Sequence, residues 1–192
     1  MGKIACATGH RPEKFRFKYN EADPECINLK RVLKNEILKL INHGYDYFIS
    51  GMALGWDMWF AEAVLELKEE YSLTLELAIP CVGQEKTWPE KSQERYQKIK
   101  EQADIVTVLS KSSYYPYLMI QRDEYMVDKS NMLVAGYNGS KGGTQHTFSY
   151  AIEKGVNIIH INPDTKTIRY IKNRKDGNWW FQLKKFVKLK KS

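Results

Sequence analysis

The chain has 192 residues, 43 % of them hydrophobic and 28 % charged, a mix that can bury one sizeable core without staples and that excludes a long disordered or low-complexity chain. The net charge of +7 is concentrated: from Lys166 to Ser192 ten Lys or Arg stand against one acid, Asp176, whereas the preceding residues carry 20 basic and 22 acidic side chains, so a nucleic-acid-binding body is not indicated. Three cysteines (Cys6, Cys26, Cys81) without a CxxC pair argue against a disulfide framework or a cysteine-built zinc site, and an N-terminus polar too soon for a signal peptide, with no apolar run near the roughly 20 residues of a membrane span, predicts a cytoplasmic protein with reduced thiols and no membrane partner.

The pattern alternates strand and helix. Lys3–Thr8 reads as a first strand ending in Thr8-Gly9-His10-Arg11-Pro12. Asp23-Pro24 supplies an N-cap and a first helical proline, Leu29, Leu33, Ile37, Leu40 and Ile41 recur at helical spacing, and Gly44 marks the helix end. Tyr47–Ser50 is a second strand running into SGMALGWD, followed by a helix over about Asp57–Glu70. Thr74–Ile79 is a third strand closed by Pro80, Pro89–Gln102 an amphipathic helix, Asp104–Leu109 a fourth strand, and Tyr117–Asp128 a helix after the SSYYPY stretch. Asn131–Tyr137 is a fifth strand leading to NGSKGG, Thr144–Lys154 a helix ending at Gly155, and Asn157–Ile161 a sixth strand before the turn Asn162-Pro163-Asp164. The tail is expected to form a strand over Thr167–Lys172 and then a basic helix carrying Trp179, Trp180, Phe181 and Phe186. Strands alternating with helices in this way predict a single α/β domain over residues 1–165, a mostly parallel sheet with helices on both faces, followed by a basic aromatic extension over 166–192.

In such sheets ligands sit beyond the carboxyl ends of the strands, near a topological switch point. Four segments lie there, Thr8–Pro12, Ser50–Asp57, Pro80–Lys86 and Tyr137–Thr144, and three of them carry the main candidates. In the first, Thr8, Gly9, His10 and Arg11 crowd one strand end, and the Arg11 fork suits either a phosphate or carboxylate or a surface ion pair. In the second, Ser50, Gly51, Met52, Ala53, Gly55 and Asp57 lead into a helix whose N-terminus suits an anion. Asp57 either caps that helix or reaches a ligand hydroxyl such as a ribose, and the glycines serve either a ligand or a close helix–strand approach. In the third, Gly142, Gly143 and Thr144, with Thr147 one turn on, offer backbone amides and hydroxyls to a phosphate, although Lys141 precedes the glycines and no Walker A loop is present.

Other residues are weaker candidates. Glu85, Lys86 and Trp88 follow the third strand and could line a rim, and Glu62 stands one turn after Asp57. Gln121 and Arg122 with Asp128 either face the pocket or make surface pairs, His146 reads equally well as a surface residue or a ligand, and His43 reads as part of a helix C-terminus. No His, Cys and carboxylate cluster has metal-ligand spacing, and no GxSxG elbow appears, so no metal and no obligate cofactor is expected.

TGHRP at 8–12, SGMALGWDMWFAEAVLELK at 50–68, IPC followed by QEKTW at 84–88, DKSNMLVAGYNG at 128–139 and GGTQHTFSYA at 142–151 together resemble the YpsA-like branch of the SLOG superfamily. That superfamily of Rossmann-like domains includes the DNA-processing protein DprA and the LONELY GUY phosphoribohydrolases. The resemblance implies a nucleotide or nucleotide-derived ligand, such as an ADP-ribose or NAD-like compound or a cyclic signal, held across the glycine loops, and a homo-oligomer. In the phosphoribohydrolases a PGGxGTxxE motif ends in a catalytic glutamate, whereas the matching position here is Thr147, which cannot serve as a carboxylate. Asp57, Glu62 and Glu124 are the carboxylates that could replace it. Three readings follow: a nucleotide sensor or sequestering module, a nucleotide N-glycosidase, and a single-stranded DNA binder whose basic aromatic tail supplies charge and stacking.

Overall fold

The computed structural model describes residues 2–112, 115–173 and 179–185. Its strands are β1 (Lys3–Gly9), β2 (Tyr45–Ser50), β3 (Thr74–Ile79), β4 (Ile105–Val108), β5 (Met132–Gly136), β6 (Asn157–Asn162), β7 (Thr167–Asn173) and β8 (Trp179–Lys185). The helices are α1 (Pro24–Asn42), α2 (Trp56–Lys68), α3 (Glu90–Gln102), α4 (Pro116–Asp128) and α5 (Gly143–Glu153), with a short 3-10 turn at Pro12–Lys14. The start of α1 follows from its sequence: Asp23 Oδ1 accepts from the Glu25 amide at 2.7 Å, and Pro24 takes the first helical position, where its missing N–H costs nothing. Its end is set by Gly44 at φ 81°.

The strands form one sheet in the order β4-β3-β2-β1-β5-β6-β7-β8. The six from β4 to β6 are parallel, and β7 and β8 add on as antiparallel strands. Alternate residues of β1 serve opposite faces. Ala5 and Ala7 pack with α1, α2 and α3 side chains such as Leu33, Trp59, Phe60 and Tyr96, whereas Cys6 packs with Met126 and Val127 of α4 and Ala151 of α5. This is the single α/β domain, Rossmann-like and covered on both faces, that the strand–helix alternation predicts.

The tail departs from expectation. Trp179, Trp180 and Phe181 lie in β8, paired with β7, and not in a helix. Aromatic residues favour an extended, pleated chain, and the edge left by β7 offers a ladder to complete. Phe186, the fourth aromatic residue of the expected helix, lies outside the described residues.

The order of the strands reverses between β1 and β5. The chain steps outward from β1 through β2 and β3 to β4, then crosses back through α4 to place β5 on the other side of β1, with Gly9 opposite Gly136. The indole of Trp56, the first residue of α2, closes the floor at this point. It is fully buried, Nε1 donates to the Val134 carbonyl at 3.2 Å, and a Cβ on either Gly9 or Gly136 would overlap its ring.

Candidate functional site

A cleft of about 240 Å³ opens where β1 and β5 diverge. Thr8, Gly9, His10 and Arg11 line it from the end of β1, with Glu13 and Lys14 beyond them. Ser140, Lys141, Gly142, Gly143 and Thr144 line it from the β5–α5 turn, Ala53 and Asp57 from the start of α2, and Met119, Arg122 and Asp123 from α4. Thr144 Oγ1 donates to the Gly9 carbonyl at 3.0 Å and so ties the two principal walls together. No side chain caps α5, so the first N–H groups of that helix, which have no intrahelical acceptor, face the cleft with the partial positive charge of the helix end.

His10 is buried, with Nε2 2.6 Å from Asn138 Oδ1, and Asn138 Nδ2 in turn donates to Asp164 Oδ2 at 2.9 Å. Burial pushes the His10 imidazole below its ordinary range, so at neutral pH it is an uncharged wall residue. The positive groups of the rim are therefore Arg11, Lys14 and Lys141.

Beneath them lies a buried charge cluster. Asp57, Arg122 and Asp123 are respectively 4 %, 5 % and 7 % exposed. Arg122 Nε donates to Asp123 Oδ1 at 2.6 Å, Nη1 donates to the Gly51 carbonyl, and Nη1 lies 3.9 Å from Asp57 Oδ2. Burial raises the Asp57 carboxyl to about 6, with Arg122 opposing the rise and the Asp123 charge adding to it. A carboxyl that titrates near neutrality in a cleft wall can donate or accept a proton, or accept a hydrogen bond from a ligand hydroxyl.

Several residues expected to contact a ligand are instead the frame of the site. Ser50 Oγ donates to the Asp57 carbonyl at 2.7 Å and accepts from the Met52 amide at 3.2 Å. Gly51 is packed against the Arg122 guanidinium, Met52 is fully buried, and Gly55 is packed against the His10 carbonyl. Thr147 is fully buried below the α5 turn, its Oγ1 2.8 Å from Asp123 Oδ2 and 3.0 Å from the Gly143 carbonyl.

Three further expected residues lie away from the cleft. Lys86 sits in the exposed loop after β3, its amide bonded to the Gly83 carbonyl. Glu62 is engaged by Arg95, whose Nε is 2.5 Å from Oε1 and which also binds Glu21. Glu124 lies 3.4 Å from His146 Nε2 and does not line the cleft. Of the three candidate carboxylates, Asp57 alone is in the cleft wall.

Sequence reasoning passed over Asp123, Met119 and Ser140, and it offered Arg122 a partner in Asp128. Asp128 instead accepts from Tyr150 and pairs with Lys154. The signal for Asp123 was its place beside Arg122, but only the fold brings that pair to Asp57. Among the described residues no group of three or more His, Cys, Asp or Glu gathers to hold a metal ion.

The YpsA family model, described as the YspA SLOG family, matches residues 5–170. The chain is 29 % identical over 144 residues to UPF0398 protein YpsA of Bacillus subtilis (strain 168), covering 74 % of this chain and 79 % of that one. It is 33 % identical over 145 residues to a UPF0398 protein of Bacillus cereus (strain B4264), covering 74 % and 78 %. Among solved structures it resembles DNA processing protein A from Helicobacter pylori, described for its single-stranded DNA binding mode, with TM-score 0.57, 15 % identity, and coverage of 84 % of this chain and 66 % of that one. DprA from Streptococcus pneumoniae gives TM-score 0.58 at 14 % identity, over 84 % of this chain and 50 % of that one. The chain thus spans just under two thirds of one solved chain and half of the other, and at these identities the likeness is one of fold. With the family match running from β1 into β7 and the glycine turns meeting at the switch point, the chain belongs to the YpsA-like SLOG family.

Proposed function

We propose that the cleft binds a nucleotide or nucleotide derivative and that the protein acts as a sensor or sequestering module for it. The observation that carries this reading is the uncapped start of α5, with Gly142 and Gly143 open to the cleft, sharing one small cavity with Arg11, Lys141 and the buried Asp57. Helix amides and a guanidinium take the phosphate, and Asp57 accepts from a ribose hydroxyl. At about 240 Å³ the cavity falls below the ~300–1,000 Å³ usual for sites that enclose a drug-sized ligand, so it fits a ribose phosphate with the base extending outward. Calorimetry against AMP, ADP-ribose, NAD and cyclic nucleotides tests the reading. Binding by a phosphate-bearing member, weakened about tenfold or more by Arg11→Ala, is the expected result. No heat and no thermal stabilisation from any of them at millimolar concentration would defeat it.

A second reading, a nucleotide N-glycosidase, is favoured by one feature, the Asp57 carboxyl raised to about 6 in the cleft wall. Incubation with the same panel and chromatography of free base decides it. Turnover that survives Asp57→Ala removes Asp57 from the role. The third reading, single-stranded DNA binding, takes its motive from the fold likeness to the Helicobacter pylori protein and from the basic residues after Lys166. A low-salt gel shift that disappears when residues 166–192 are deleted is its expected signature.

A further inference from the structure

The two outer edges of the sheet are built differently. β8 ends in Lys184 and Lys185, the kind of charge that discourages a further strand from adding. β4 has the sequence Ile-Val-Thr-Val, without charge, proline or bulge. That composition belongs to a parallel strand buried on both faces, yet Ile105, Val106 and Val108 remain 40 %, 38 % and 43 % exposed. The main packing of the neighbouring helices lies further in, α3 on α2 and α4 on β3 and β1. Tyr115 and Tyr117, at the start of the helix that follows β4, add two more exposed apolar side chains.

The strand is also tied inward. Thr107 Oγ1 donates to Glu76 Oε1 at 2.7 Å, and the same fully buried carboxylate accepts from Tyr47 Oη, Tyr125 Oη and Lys129 Nζ. This network fixes β4 to β2, β3 and α4. As an edge strand it presents its outward N–H and C=O groups as a template.

We infer that β4 is a self-association edge, at which two copies pair their β4 strands antiparallel about a twofold axis near Val106 and join their sheets into one. Under that operation Val106 meets its own copy and Ile105 meets Thr107, and no charge lies within Ile105–Val108 to meet its own copy. The three aliphatic residues and two tyrosines offer on the order of 500 Å² per copy, against about 800 Å² per partner in a standard interface. The strand and tyrosines thus form the apolar centre, with a rim from α3 and α4, and the dimer is concentration-dependent. This inference is independent of what the cleft binds.

Sedimentation velocity of the full chain over a concentration series up to the order of 100 µM tests it. The expected result is a monomer–dimer equilibrium in the untouched chain and a monomer in Val106→Lys, which places two ammonium groups at the axis. Tyr117→Ser, which leaves the sheet ladder intact, is expected to weaken association about fivefold or more with an unchanged melting temperature, so the test survives if the lysine variant folds poorly. A chain that stays monomeric throughout, or a dimer that neither substitution weakens, overturns the inference.

Discussion

At the start of α2 the main chain is used up internally. The Met52 amide donates to Ser50 Oγ, the Ala53 amide to Asp57 Oδ2 at 3.4 Å and the Trp56 amide to the His10 carbonyl, while the Gly51 carbonyl is taken by Arg122. At the start of α5 no side chain caps the helix, and a Cβ built on Gly139, Gly142 or Gly143 would meet no heavy atom within 4 Å. Both turns show glycines between a parallel strand and a helix, and the sequence alone invites one explanation for both. The contrast teaches that a glycine-rich turn can exist to let the protein's own side chain in or to leave room for something else. Arg122 is what separates the two cases, because it fills the space that a ligand phosphate would take at the first turn.

The comparison is broken most forcefully by removing that side chain. Arg122→Ala leaves Asp57 and Asp123 buried without their cation and strips the Gly51 carbonyl of its donor. The expected cost is about 3–5 kcal/mol in urea unfolding. A loss below about 1 kcal/mol would mean that the α2 turn holds itself without the guanidinium.

Asp57→Asn comes next and depends on pH. The Asp57 carboxyl stands at about 6 in the folded protein against 3.8 for the free group, so the folded state binds the proton more tightly than the unfolded one. Its contribution to stability is complete below pH 3.8, fades as pH rises through 6, and leaves the ionised group unfavourable above that. Relative to the untouched chain, the Asn variant should gain up to about 3 kcal/mol between acid and pH 7.5, read as diverging melting temperatures. Parallel curves from pH 4 to 8 would show that Arg122 neutralises Asp57 far more completely than the 3.9 Å separation implies.

Much of this arrangement was legible from the residues. The helical spacing of Leu29, Leu33, Ile37 and Leu40 and the caps at Asp23 and Gly44 reflect local rules, and α1 obeys them. The rule that ligands gather at strand carboxyl ends pointed to the turns after β1, β2, β3 and β5, and the fold brings those after β1 and β5, with the start of α2, to one cleft. What escaped were long-range pairings. Arg122 reads either as a pocket residue or as a member of a surface pair, and only the crossover from β4 to β5 lays it between Asp57 and Asp123. Glu62, one turn after Asp57, stood as a candidate carboxylate, but Arg95 of another helix claims it. At the tail a basic helix was expected over Trp179–Phe181, whereas aromatic residues there favour the strand that pairs with β7.

The smallest effects on stability are the sharpest for function, and they come from one methyl group placed at each turn. Gly51→Ala drives a Cβ into the Arg122 guanidinium, which is held by Asp123 and cannot swing away without losing its partners. A cost of about 1–3 kcal/mol is expected, without a separate effect on a ligand bound at α5. Gly143→Ala adds its methyl where no heavy atom lies within 4 Å, at the first residue of a helix that tolerates alanine well, so unfolding should change by no more than about 0.5 kcal/mol. The same methyl stands in the space proposed for the phosphate. Nucleotide affinity should therefore fall in Gly143→Ala while the melting temperature holds, and the two measurements should separate in the opposite sense for Gly51→Ala. Equal affinities in the Gly143 variant and the untouched chain would mean that the open turn of α5 is not where the anion sits, whatever else the cleft accepts.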